Sequence, residues 1–243
     1  FTIATSCTAA ADIPVQYDYS QLGETWSAPR IFRIPSEDIG NRSDSRNDKY
    51  VAVMGAGMGA TNLCAGSAVF IVNLDRDDES GIEPGTIFGS TSNGGPITII
   101  DTVETNAAVT EEVTTTTENE AGDDVVTTTT VVTKPATSIA GATTPNGSDI
   151  GNSLPSSAVV ITPDTAFNIP WRGAMVYFND LEGKITKINL TSSTKNDADL
   201  FDQTTLFRLN ADTKNKRYSY FSMDAGIGQT TREFWLFGGT GNF

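Results

Sequence analysis

The sequence predicts an all-β fold. Its 243 residues are rich in Gly, Thr, Ser, Asn and Asp, and they lack the long runs of Ala, Leu, Glu and Lys that build helices. The apolar residues come in short clusters that recur about every ten residues and are separated by turn-forming residues. Such a spacing is typical of a β-sandwich, a barrel or a propeller.

Composition and charge argue against several classes of function. With 30 acidic and 16 basic residues the chain has a net charge of −14, which repels a phosphate backbone, so we expect no nucleic-acid partner. The chain has no histidine, which excludes Ser-His-Asp catalysis and histidine metal sites. No apolar run approaches the roughly 18 residues that cross a bilayer, so we expect no membrane span. The chain begins with Phe1 and shows no signal-peptide pattern, which suggests a mature or partial chain.

The first hundred residues contain four extended segments. Residues 14–19 and 30–35 come first, and the second of them is bounded by prolines, which suits a strand at a sheet edge. Residues 50–54 and 68–74 are richer in β-branched and apolar residues and predict two further strands.

The link between the last two of these strands has the glycines of a nucleotide-binding loop. Gly55, Gly57 and Gly59 follow a strand, and Asp75 ends the next strand, where a ribose-binding carboxylate is expected. A dinucleotide fold also needs a helical crossover, and only the sequence ATNLCAGSA is available for it. We therefore predict a glycine-rich turn between two antiparallel strands rather than a nucleotide site.

Threonine dominates residues 101–152. Residues 109–117 and 125–133 are both β-branched, and the sequence ENEAGDD between them contains turn residues, so we predict an extended two-stranded hairpin arm. A disordered or O-glycosylated linker is the alternative, because an isolated hairpin without an apolar face is only marginally stable. The segment divides the chain into residues 1–100, the insertion 101–152, and residues 153–243.

The final third of the chain again predicts short strands joined by turns. The turn around Asp180 and Gly183 joins two strands into a hairpin, and the Asp180 carboxylate is expected to cap backbone N–H groups there. The predicted strands are residues 158–162, 174–180, 184–190, 205–209, 218–223 and 234–237.

Five motifs follow one another in an order that resembles a known family. They are LGETWSAPRIFRIP (22–35), KYVAVMGAGMG (49–59), AVFIVNLD (68–75), VYFNDLEGKITKINL (176–190) and FWLFGGTGNF (234–243). This order resembles the C-terminal β-propeller of the PilY-type proteins, also called PilC in some bacteria, which sit at or near the tip of type IV pili. The resemblance covers roughly residues 20–100 and 155–243.

The resemblance implies a partial or reduced β-propeller of antiparallel blades, with the Thr-rich hairpin as an insertion. It implies an exported, non-catalytic protein at the pilus on the bacterial surface, which supports pilus assembly and surface adhesion. Minor pilins or other pilus subunits, and a surface or host ligand, would be its partners. Trp26, Trp171 and Trp235 are then expected to wedge between neighbouring blades.

Two other classes of function remain open. The chain could be a structural subunit of an extracellular filament or sheath that assembles through the Thr-rich arm. It could also be an exported propeller hydrolase or dehydrogenase, for which Glu24, Asp180 and Glu182 are the available carboxylates.

Two candidate sites follow from residue types and spacing. Asp75, Asp77 and Glu79 stand at alternate positions and could ligate calcium, although a solvated turn after a strand is the favoured interpretation. The calcium loop that the family often carries has no counterpart in TPDTAFNIPWRG, and we expect no other cofactor. Cys7 and Cys64 could form a disulfide in an exported protein, or could be two small buried residues.

Overall fold

The structure of the protein is a computed structural model. The described residues are 12–36, 44–59, 65–76, 83–89, 94–99, 105–106, 109–118, 124–134, 137–138, 153–163, 171–181, 183–192, 200–208, 218–228, 230 and 233–241. The chain divides into a body, Phe1–Ile100 with Thr144–Phe243, and a second unit, Asp101–Thr143. Among the described residues no helix has the length and apolar character to cross a membrane.

Five antiparallel strands of the body form sheet 1. They are β1 (Arg30–Ile34), β2 (Lys49–Gly55), β3 (Ala68–Asn73), β4 (Ile87–Phe88) and β5 (Ile97–Thr98). The strand order is β1-β2-β3-β4. Strand β5 also pairs with β3, at Ala68 and Val69, whereas β4 pairs with Ile71 and Val72. Strand β2 alternates buried and partly exposed residues, which is the period expected of a strand with one face in the core.

The second unit contains the Thr-rich hairpin. Strands β6 (Thr105–Asn106), β7 (Val109–Glu118), β8 (Asp124–Lys134) and β9 (Thr137–Ser138) pair as β6 with β9 and β7 with β8, both antiparallel. The predicted hairpin is therefore present, because β-branched Thr and Val favour extended backbone and the residues between the strands favour a turn. The side chains described in it, those of Thr114, Thr116 and residues 126–128, are exposed.

Sheets 2 and 3 complete the body. Sheet 2 has the antiparallel order β10 (Val159–Ile161), β11 (Arg172–Asn179), β12 (Lys184–Ser192) and β13 (Gln203–Arg208). Sheet 3 is the antiparallel pair β14 (Asp224–Ile227) and β15 (Phe234–Phe237). The hairpin predicted around Asp180 is the connection between β11 and β12.

The main core lies between sheets 1 and 2. Both sheets contribute to a single cluster of buried side chains, which includes Val53 and Ile71 from sheet 1 and Val176, Phe178 and Ile188 from sheet 2. A smaller cluster covers the far face of sheet 1, where Tyr19 stacks on Phe70 with ring centroids 5.4 Å apart.

Sheet 3 lies on the far side of sheet 2. Tyr177 alternates with the core residues Val176 and Phe178, so its ring points to the opposite face of β11. There it meets Phe234 of β15 with ring centroids 5.4 Å apart. The all-β prediction is confirmed, and the described strands of the body form three sheets that do not close into a ring within the part of the chain described.

Two predicted strands are wrong. Residues 15–17 form a short 3-10 helix instead of an extended segment, because Pro14 fixes its own φ at −58° and its carbonyl accepts a hydrogen bond from Tyr17 N at 2.8 Å. Residues 218–223 are irregular, and their N–H and C=O groups bond to Leu181, Gly241 and Asn179 rather than to a strand. The strand that pairs with β15 begins only at Asp224, while β13 pairs with β12.

The close contact at Gly173 gives a stability prediction. Gly173 lies in β11 with φ at +90°, and a Cβ there would collide with the Leu190 carbonyl oxygen. Gly173→Ala should lower the free energy of unfolding by roughly 2–4 kcal/mol through backbone strain and overpacking. Urea unfolding followed by circular dichroism measures it, and Gly239→Ala is the matched control because a Cβ there has no neighbour within 4 Å. Equal stability of the two variants would contradict this account of the strand.

Candidate functional site

A groove of about 450 Å³ lies between the end strand β13 of sheet 2 and sheet 3. Its walls are mainly apolar, with a few polar side chains at Asn179, Ser219 and Thr240. The apolar side chains come from Ile185, Leu206, Phe207, Met223 and Leu236. An apolar cleft with a small number of polar groups is the usual form of a binding site.

A buried hydrogen-bond network fixes the polar side of the groove. Asn179 Nδ2 donates to Ser219 Oγ at 2.6 Å and to the Phe221 carbonyl at 3.0 Å. Asn179 Oδ1 accepts from Ser156 Oγ at 3.1 Å, and Ser219 Oγ donates to the Gly239 carbonyl at 2.8 Å. The network ties the segment before β14 and the segment after β15 to the end of β11, so these walls are held in place.

The turn between β11 and β12 contains a buried ion pair. The side chains of Asp180 and Lys184 are each 1 % exposed, and Lys184 Nζ lies 3.3 Å from Asp180 Oδ2. Asp180 Oδ1 accepts a hydrogen bond from Lys184 N at 2.8 Å, so the predicted capping role of Asp180 is confirmed. Sequence reasoning missed Lys184, since lysine is almost never fully buried unless it is paired.

The carboxylates considered for catalysis have different surroundings. Asp180 is buried and paired with Lys184. Glu24 is exposed, and its backbone forms an antiparallel bridge with Met58. Glu182 lies outside the described residues. Neither Glu24 nor Asp180 lines the groove, and the lining residues described include no carboxylate.

The glycine-rich stretch connects antiparallel strands, as the sequence predicts. Strands β2 and β3 run antiparallel, whereas a dinucleotide fold requires a parallel crossover. Gly57 has φ at +89°, and a Cβ on it would collide with the Glu24 carbonyl. Gly57 N donates to the Leu154 carbonyl at 3.0 Å, so this glycine allows three backbone segments to meet at one point.

Of the three predicted calcium ligands, the structure describes only Asp75. Its Oδ2 accepts a hydrogen bond from Tyr50 N at 2.5 Å, and its own N–H donates to Asn73 Oδ1 at 3.1 Å. Asp77 and Glu79 lie outside the described residues. Within the described part of the chain no three His, Cys, Asp or Glu side chains are grouped so as to hold a metal ion. Calcium binding stays a prediction.

The predicted disulfide also stays a prediction. Both Cys7 and Cys64 lie outside the described residues.

The tryptophan prediction is wrong at two of its three positions. Trp26 is 73 % exposed and Trp235 is 53 % exposed, so neither is wedged in the core, and Trp171 is partly buried. Large apolar side chains are exposed on β13, on the segment before β14 and on both faces of sheet 3. We call the following set the apolar surface: Leu206, Phe207, Phe221, Ile227, Phe234, Trp235 and Phe237.

An ion pair joins sheets 1 and 2 away from the groove. Arg172 Nη2, at the start of β11, donates to Asp48 Oδ1, next to the start of β2, at 3.0 Å. The Asp48 side chain is 8 % exposed, and desolvation raises its pKa above the ordinary value although Arg172 and Arg33 oppose the rise. The removal of water therefore outweighs the attraction of the two guanidinium groups.

Comparison with known proteins gives no assignment for this chain. It matches no protein-family model, no curated protein and no solved structure. The resemblance to the PilY-type propeller therefore stays a prediction that depends on the five motifs.

The buried ion pair predicts that removing one of its charges lowers the stability more than removing both. Asp180→Asn keeps an oxygen for Lys184 N but removes the negative charge beside the buried ammonium group, so it should lower the free energy of unfolding by about 3–5 kcal/mol. The double variant Asp180→Asn with Lys184→Met removes both charges and should recover most of this loss. Urea unfolding of both variants measures the difference. A double variant no more stable than the single variant would show that the charge pair is not the cause.

The raised pKa of Asp48 predicts an unusual pH dependence. A raised pKa in the folded state means that folding favours the protonated form of the Asp48 carboxyl. This group therefore contributes its full stabilisation at pH values below its unfolded pKa of 3.8. That stability is lost as the pH rises through the higher folded pKa. Asp48→Asn should therefore gain stability relative to the wild type as the pH rises from below 3.8 through the range in which the Asp48 carboxyl of the folded protein loses its proton.

Urea unfolding across this pH range tests the Asp48 prediction. Asp224→Asn, at an exposed aspartate, controls for the change of net charge. A relative loss of stability by Asp48→Asn as the pH rises would mean that the attraction to Arg172 outweighs desolvation.

Proposed function

We propose that this chain is an exported, non-catalytic β-scaffold that belongs to a type IV pilus on the bacterial surface and supports pilus assembly and adhesion. One observation carries the proposal. The motifs that resemble the PilY-type propeller coincide with strands and turns of stacked antiparallel sheets, as the blades of a propeller require.

The motifs match strands and turns of the structure from one end of the body to the other. Residues 49–59 cover β2 and the turn at Gly57, and residues 68–75 cover β3 and its end at Asp75. Residues 176–190 cover most of β11 and β12 with the turn at Asp180, and β15 opens the last motif. These segments pack sheet against sheet, which supports the interpretation that they are parts of successive propeller blades.

The surface of the body suits binding to other proteins. The groove and the apolar surface lie on the same elements, β13 and sheet 3, and the buried network at Asn179 holds the groove walls. Pilus subunits such as minor pilins would be the partners, and loops of the scaffold would contact a surface or host ligand.

A structural subunit of an extracellular filament or sheath is the second candidate. The antiparallel pairing of β7 with β8 continues from Glu118 and Asp124 to Val109 and Lys134, and the side chains described in it are exposed. A two-stranded hairpin gains stability when a neighbouring chain adds strands to it, which would connect successive subunits.

Deletion of the gene in the bacterium that encodes the chain tests the first proposal. We expect loss of surface pili and of surface attachment, both restored by the wild-type gene, with the tagged protein at filament ends by electron microscopy. A strain with normal pili and attachment, or a tagged protein absent from pili, would refute the proposal. The variant lacking residues 109–133 separates the two candidates: pili should form if the protein caps the tip, and assembly should fail if it is a filament subunit.

A further inference from the structure

The Thr-rich hairpin has no third strand in the part of the chain that the structure describes. Strands β7 and β8 form a two-stranded sheet of their own. Its described side chains are exposed on both faces, since Thr114 and Thr128 occupy one face and the neighbouring Thr127 occupies the other. A single two-stranded hairpin is only marginally stable in water. The hairpin therefore gains stability from a strand that adds to one of its edges.

The two edges of the hairpin differ in charge. Strand β7 contains three glutamates, Glu111, Glu112 and Glu118, and no basic residue. Strand β8 has eleven residues, and apart from Asp124 and Lys134 at its ends all nine are Val or Thr. Charged residues on an edge strand oppose the addition of another strand, whereas a long uncharged edge of β-branched residues favours it. A further strand is therefore expected to pair with β8.

The charges of β8 make this strand complementary to itself. When two copies of β8 pair antiparallel, the beginning of each strand lies beside the end of the other. Asp124 of one copy then comes next to Lys134 of the second copy, at both ends of the shared edge. Within the hairpin, by contrast, the cross-strand partner of Asp124 is Glu118, and like charges directly opposite each other are destabilising. A second copy thus brings a lysine to the acidic end of the hairpin.

The regular part of β8 is compatible with a twofold axis. An axis at Thr129, the central residue of β8, sets Val126 opposite Val132 of the second copy and repeats this pair on its other side. The register of β7 with β8 shifts only beside Val109, at the end of the hairpin, so the residues nearest the axis lie in regular strand. Cross-strand pairs of β-branched residues stabilise a sheet, and every pair near the axis is of this kind.

We propose that β8 pairs antiparallel with β8 of a second copy of this chain, which joins two hairpins into a four-stranded sheet of order β7-β8-β8-β7. The outer edges of that sheet are the two β7 strands, whose glutamates oppose further addition. The assembly therefore closes as a symmetric dimer and does not grow into a filament. The proposal concerns the hairpin by itself and does not depend on a role at the pilus.

Sedimentation of the purified 243-residue chain between about 1 and 200 μM tests the proposal. We expect the mass to rise from monomer to dimer, with no larger species. A chain that stays monomeric at the highest concentration would overturn the proposal. Assemblies larger than a dimer would also overturn it and would favour the filament candidate. The variant lacking residues 109–133 should be monomeric, and a dimer of that variant would place the contact outside the hairpin.

Charge reversal at the ends of β8 tests which residues meet. Asp124→Lys and Lys134→Asp each replace both attractive contacts of the dimer by repulsive ones, so each variant alone should dimerise at least about tenfold more weakly than the wild type. Glu112→Lys is the matched control, because it changes the net charge by the same amount as Asp124→Lys but lies on β7. This control should dimerise no more weakly than the wild type.

A mixture of the two single variants tests the antiparallel register. When one Asp124→Lys chain pairs with one Lys134→Asp chain, opposite charges meet again at both ends, so the mixture should form a heterodimer with nearly the wild-type affinity. The double variant, Asp124→Lys with Lys134→Asp, should self-associate for the same reason. Circular dichroism establishes that each variant is folded. Folded single variants that dimerise like the wild type, or a mixture that stays monomeric, would overturn the proposal.

Discussion

The body of this protein depends on the burial of one face of sheet 1 against one face of sheet 2. Val53 and Ile71 on one side meet Val176, Phe178 and Ile188 on the other in a single apolar cluster. Because alternate residues face opposite sides of a strand, this burial also directs Tyr177 outward, where it supports sheet 3. The position of the groove between β13 and sheet 3 is therefore a consequence of the main core.

Local patterns in the sequence were enough to predict most strands, whereas burial was not. The alternation in β2 and the turn at Asp180 are local signals, and both predicted the observed elements. The exposure of Trp26 and Trp235 depends on which elements reach them from elsewhere in the chain, and composition does not contain that information. Lys184 was missed for the same reason, since its burial requires the carboxylate of Asp180 beside it.

Two carboxylates that suggested chemistry in the sequence, those of Asp75 and Asp180, have structural roles. Asp75 accepts a hydrogen bond from Tyr50 N and so holds the end of β3 beside the start of β2. Asp180 neutralises a buried lysine and caps a turn. The groove offers mainly apolar contacts with a few polar side chains, which is the usual lining of a binding site.

Within the body, contacts between the residues that precede the Thr-rich unit and those that follow it have a consequence for folding kinetics. Ala28 N and Arg30 Nε bond to residues 129 and 128 positions away, and Arg172 bonds to Asp48 at a separation of 124. Contacts so distant in sequence form slowly, and during synthesis sheet 1 has to wait for most of the chain to emerge before its core face is covered. The inserted Thr-rich unit lengthens this wait, but it adds little to the free energy of closure, because loop entropy grows only with the logarithm of length.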